Sequence, residues 1–157
     1  MRSFVVSHIS IYLAIVIYCG WLSFDLISAW QNDPFVRSGS WAFILWLFLL
    51  AIVFILQRGS SASSSSLQIA AIFLGTLGLL GQLNALQHLG LACALCSLPI
   101  NQKSRLLLLC SSIFWMPLLG WFGHRSFLVN PDFARLPLIL ITAILLSPFI
   151  RLQKTKP

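Results

Sequence analysis

The chain has 157 residues, 59% hydrophobic and only 8% charged, and its ten Lys and Arg against three Asp and no Glu leave a net charge of +7. A soluble domain carries about 25% charged residues, so there is too little polar side chain here to clothe a surface facing water; a disordered tail, a collagen-like fibre and a disulfide-rich secreted mini-protein are excluded by the same numbers. The class that remains is an integral membrane protein: an all-α polytopic bundle of four or five transmembrane helices, one domain over residues 1–157, placed in a bacterial inner membrane.

Five apolar segments follow in chain order: Ile9 to Ala29, Trp41 to Gln57, Leu67 to Leu91 with an apolar extension to Ile100, Leu106 to Phe122, and Ala134 to Ile150. About 20 apolar residues cross the roughly 30 Å of bilayer hydrocarbon, and the first four meet or approach that length. The fifth is short and holds Pro137 and Pro148, which makes it the weakest span. Ile27-Ser28-Ala29 loosely resembles a signal-peptide cleavage site, although the run before it is long for such a segment. The links are short, and residues 58–66 (RGSSASSSS) read as a flexible Ser-rich connection. Trp30, Trp41 and Trp121 sit at segment ends, where indoles favour the headgroup zone, whereas Trp46 and Trp115 lie inside segments as packing residues.

The ten cations are scattered at segment ends, with no basic stripe carrying interleaved aromatics. They read as snorkelling anchors for anionic headgroups, and nucleic acid is not a partner. With five spans, Arg2, Arg58, Arg125 and Arg135 fall on one side and the other six cations on the opposite side. That small excess leans toward an outside N-terminus.

Candidate chemistry concentrates between residues 82 and 96. Cys93-Ala94-Leu95-Cys96 places two thiols at i and i+3 on one helix face, the spacing of a redox pair or a soft-metal site. Packing is the plain alternative, since Cys is a small apolar residue. A thiolate at the C-terminal end of a helix is opposed by the dipole; a helix break near Gly90 that restarts at Cys93 would favour it. Cys19 and Cys110 read as core residues, either of which could resolve a disulfide. His88 and His124 lack metal-ligand spacing, so no metal is expected. Asn84, Gln87 and His88 share a face, and Gln87 or His88 suits a quinone carbonyl, with interhelical hydrogen bonding as the alternative. Gly75, Gly78 and Gly81 form a smooth strip for close helix packing. Asp25 near a segment end is notable for its charge at or near membrane depth. His124-Arg125 reads as an interfacial pair. Paired carboxylates, a G-x-S-x-G elbow and an H-E-x-x-H pair are absent from the sequence.

Gln87-His88-Leu-Gly-Leu-Ala-Cys93-Ala-Leu-Cys96 resembles the CxxC region of DsbB-type quinone-dependent disulfide oxidases, and its place after the third apolar segment is similar to vitamin K epoxide reductases. That resemblance implies a thiol–disulfide oxidoreductase in which Cys93 and Cys96 pass electrons to a quinone held by Gln87 and His88, with an exported thiol protein as partner. It covers about 30 residues and lacks the families' second cysteine pair, while the Arg that follows the DsbB pair has no counterpart before Arg105. A second stretch, Trp30-x-x-Asp33-Pro34 with Gly39, Gln57-Arg58 and the Leu-Gln87-His88-Leu run, resembles the early part of exosortases. It implies a protein-processing or accessory membrane protein without the usual catalytic residues. A non-enzymatic scaffold subunit, partnered by other membrane subunits, is the third reading, so enzyme and non-enzyme both stand open.

Overall fold

A computed structural model of the chain describes residues 2–34, 36–57, 63–119 and 132–154. It is all-helical, and among the described residues there is no strand. The elements are α1 (Arg2–Leu22), α2 (Asp25–Asn32), α3 (Gly39–Gln57), α4 (Ser65–Leu80), α5 (Asn84–Cys96), α6 (Gln102–Ser111) running into a 3₁₀ turn (Ser112–Phe114), and α7 (Asp132–Lys154). One helix, α3, is long and apolar enough to cross a membrane; the pair Ser10–Leu22 and α2, bent by 45° at its break, makes a second if the two form one span. Trp121, the His124-Arg125 pair and most of the Ser-rich link, residues 58–62, lie outside the described residues.

The helices group into two compact units, residues 1–25 with 64–97, and residues 26–63 with 98–157. In the first, α4 and α5 form an antiparallel hairpin against which α1 packs. The apolar stretch 67–91 is therefore two helices, where one span was expected. Its turn is a Schellman motif: the Leu83 N–H bonds the Gly78 carbonyl at 2.8 Å and the Gln82 N–H that of Leu79 at 3.3 Å, with Gln82 left-handed at φ 52°. At the open end the Ser64 N–H donates to the Ser97 carbonyl at 3.0 Å. The Ser64 hydroxyl accepts from the Leu67 N–H and caps α4.

The small-residue strip works as expected for Gly75 and Gly78. A Cβ added at Gly90 of α5 would lie 2.9 Å from the Ala71 carbonyl oxygen and 3.0 Å from the Gly75 nitrogen, so the two backbones touch there. Gly75 also meets Leu22 of α1, and Gly78 meets Gln87. Gly81 instead caps α4.

In the second unit α3 and α6 run antiparallel. The Gln57 side chain donates to the Ser104 hydroxyl at 2.8 Å and accepts from the Asn101 N–H at 2.9 Å, so the end of α3 caps the start of α6. At the other end the Trp46 indole donates to the Leu108 carbonyl and the Ser111 hydroxyl, and Phe43 and Trp115 pack around it. Trp46 and Trp115 are fully buried, as packing residues should be. α7 holds both prolines without breaking. Pro148 cannot donate to the Ile144 carbonyl, and the Ser147 hydroxyl does so instead at 2.8 Å.

Apolar side chains cover the outside of the described helices as well as filling their interior. Ile17 and Trp21 on α1, Phe48 and Ile55 on α3, Ile69 on α4 and Ile144 on α7 are exposed, while Gln57, Gln87, His88, Ser104, Arg135 and Thr142 are buried.

Candidate functional site

All four residues singled out for chemistry lie on α5, and all are buried. The helix restarts at Asn84, not at Cys93. Gln87 and His88 therefore occupy its early turns, and Cys93 and Cys96 its last, where the dipole opposes a thiolate. At 1.5 Å per residue the two groups stand roughly 8–12 Å apart along the axis. Both cysteines are free thiols, Cys93 4% exposed and Cys96 0%.

Cys19 of α1 joins them: its thiol donates to the Ala71 carbonyl at 3.7 Å and lies within electrostatic reach of Cys93. Cys110 belongs to the other unit and is exposed. Three buried thiols thus belong to the first unit. Among the described residues no group of three or more His, Cys, Asp and Glu is arranged to hold a metal.

At the other end of α5, the chain bends between α1 and α2. The Ser23 N–H bonds the Cys19 carbonyl at 3.1 Å, and the Ser23 hydroxyl donates to the Gln87 carbonyl at 3.1 Å. Asp25 opens α2, where the helix dipole favours a carboxylate. Its two oxygens stand 3.1 and 3.2 Å from Nε2 of His88. The ring is 3% exposed at its side chain and the carboxylate 35%. This pairing joins residues 63 apart in sequence, a contact that no local spacing reveals; the available signal was that each is an ionisable group in or beside an apolar run.

The structure brings Gln87 and His88 together in the early turns of α5. His88 spends Nε2 on Asp25, and Gln87 packs against Gly78, where an added Cβ would lie 2.8 Å from Gln87 Cγ. An open apolar groove of about 420 Å³ in this unit is bordered by Ile11, Ile15, Tyr18 and Ile72.

The second unit holds a polar centre of its own. The helix following Asn101 loosens at the 3₁₀ turn, and Pro117 has no N–H with which to continue it. Three successive carbonyls are met by side chains: Trp30 Nε1 donates to Trp115 at 3.2 Å, and Arg135 Nη1 to Phe114 at 2.9 Å and Met116 at 3.1 Å. Arg135 is fully buried, so it is not the headgroup anchor that its position suggests. A guanidinium suits this place because helix-terminal carbonyls carry partial negative charge. Gly39 leaves room for the Trp30 ring, whose Nε1 would lie 2.5 Å from a Cβ there.

No family model, curated protein or solved structure matches the chain.

Proposed function

We infer that this chain is a polytopic membrane protein of structural rather than catalytic type, a helical subunit that packs beside other membrane components. One observation carries the reading: the side chains that sequence marks for chemistry are buried, with His88 bonded to Asp25, while Ile, Leu, Phe and Trp side chains face outward. Asp25–His88, Ser23–Gln87 and Gln57–Ser104 are interhelical bonds of the kind that hold helices together where apolar surroundings give no hydrophobic drive. The test is purification of the tagged full chain in mild detergent. A stable, stoichiometric complex with another membrane protein supports the reading. A lone monomer whose deletion phenotype is reversed only by chains retaining Cys93 and Cys96 overturns it.

The Cys93–Cys96 spacing, with the buried thiol of Cys19 in the same unit, favours a second reading, an electron-exchanging thiol set. Closing a disulfide between two of these thiols releases two electrons and two protons to an external oxidant; the CxxC resemblance implies a quinone for that role. Thiol trapping separates the readings. Labelling of Cys93 and Cys96 only after reduction favours the redox one, and a Cys93→Ser, Cys96→Ser chain with unchanged behaviour ends it.

A further inference from the structure

We propose that α4 and α5 form a re-entrant hairpin that enters the membrane from the cytoplasmic face, so that the start of α1 and the open end of the Cys93–Cys96 helix lie on that face. This rests on the membrane reading above.

The hairpin returns to the face it left. The Ser64–Ser97 backbone bond closes its two ends together, and the Schellman turn at Gly81–Leu83 closes the other. The helices have 16 and 13 residues. At 1.5 Å per residue they reach about 24 and 20 Å, short of the roughly 30 Å of hydrocarbon. The turn satisfies its own carbonyls, as a tip at membrane depth must.

The rest of the path follows from helix direction within each unit and from the length of the links. In the first unit α1 runs parallel to α4: Cys19 bonds Ala71, and Leu22, three residues on, meets Gly75. The start of α1 is therefore at the open end of the hairpin. In the second unit Gln57 meets Asn101 and Ser104, and the Lys103 ammonium stands 5.8 Å from the Phe149 ring centre. The end of α3, the start of α6 and the end of α7 are thus together. Gln57 to Ser64 is seven peptide steps, at most about 25 Å of extended chain, and Ser97 to Asn101 is shorter still. Neither link can cross a bilayer, so the chain enters and leaves the hairpin on the face where it opens.

The sequence around the hairpin's open end is basic: Arg2 begins α1, Arg58 lies in the link before the hairpin, and Lys103 and Arg105 follow it, with no acid among them. Cations flanking membrane segments mark the cytoplasmic side. The last turn of α5, which holds the buried Cys93 and Cys96, then lies toward the reducing compartment, and on the redox reading their exchange partner would be a cytosolic thiol rather than an exported protein.

The test uses the full chain with Cys110→Ser, since the three remaining thiols are buried. Single cysteines are added at Asn32, Ser61 or Gln102 and treated with a membrane-impermeant maleimide in intact and in lysed cells. The expected result is labelling of Asn32→Cys in intact cells, and of Ser61→Cys and Gln102→Cys only after lysis. Labelling of Ser61→Cys and Gln102→Cys from opposite faces overturns the hairpin; both labelling in intact cells overturns the orientation. Alkaline carbonate washing of the same membranes distinguishes the failures. A chain released by carbonate refutes the membrane reading itself, whereas a retained chain with the wrong labelling refutes the topology alone.

Discussion

At the scale of single residues, the buried polar groups define what the fold depends on. Arg135 meets two carbonyls that a helix break has freed. Arg135→Met keeps the stem and removes the donors, and each orphaned buried carbonyl costs roughly 1–3 kcal/mol. The expected outcome is a lowered midpoint of denaturant unfolding in detergent, with Arg135→Lys recovering part of it; equal loss in both variants would assign the effect to packing. The Asp25–His88 pair gives a sharper contrast. His88→Ala strands a carboxylate, whereas Asp25→Asn retains an acceptor for Nε2 and removes the charge. His88→Ala should therefore destabilise the chain more, by roughly 1–3 kcal/mol. A larger loss in Asp25→Asn would show that the charge, rather than the hydrogen bond, matters. Each of these residues was legible in the sequence as an ionisable group in apolar company. Their roles were not, because Arg135 differs from a surface anchor only by the carbonyls that tertiary packing brings to it, and Asp25 finds His88 across 63 positions.

At the scale of elements, the α4–α5 hairpin is the clearest departure from the sequence pattern. Hydropathy sees residues 67–91 as one apolar run, because a three-residue break barely lowers a window average. The local chemistry was present in Gly81, a helix terminator, and Asn84, a helix starter, with polar Gln82 between them. Gln82 sits at φ 52° where glycine is preferred. Gln82→Gly should raise the unfolding free energy by about 1 kcal/mol, read as a shift of the denaturation midpoint; a fall would mean that the Gln side chain anchors the turn. Gly90→Leu tests the seam. Its side chain would strike the α4 backbone at Ala71 and Gly75, which cannot yield as a flexible side chain would. A loss of at least about 1–3 kcal/mol is expected, and an unchanged midpoint would show that the hairpin is looser than the backbone contact requires. The glycine strip, by contrast, was readable from spacing alone, since small residues at helical intervals have few other uses in an apolar helix.

At the scale of the whole molecule, composition was the strongest guide: a chain with 8% charged residues cannot cover itself with polar groups, and the exposed Ile, Phe and Trp side chains agree. The exposed apolar surface also bears on thermodynamics. A protein folding in water hides apolar surface from solvent, and the heat-capacity change of unfolding follows that transfer. Here Ile17, Phe48, Ile69 and Ile144 stay outside in the folded state; in a bilayer they would face lipid before and after the helices separate. Separation within the membrane then moves little apolar surface into water. Its heat-capacity change should be small and its stability curve nearly straight with temperature, so cold would not loosen the bundle as it loosens a water-soluble core.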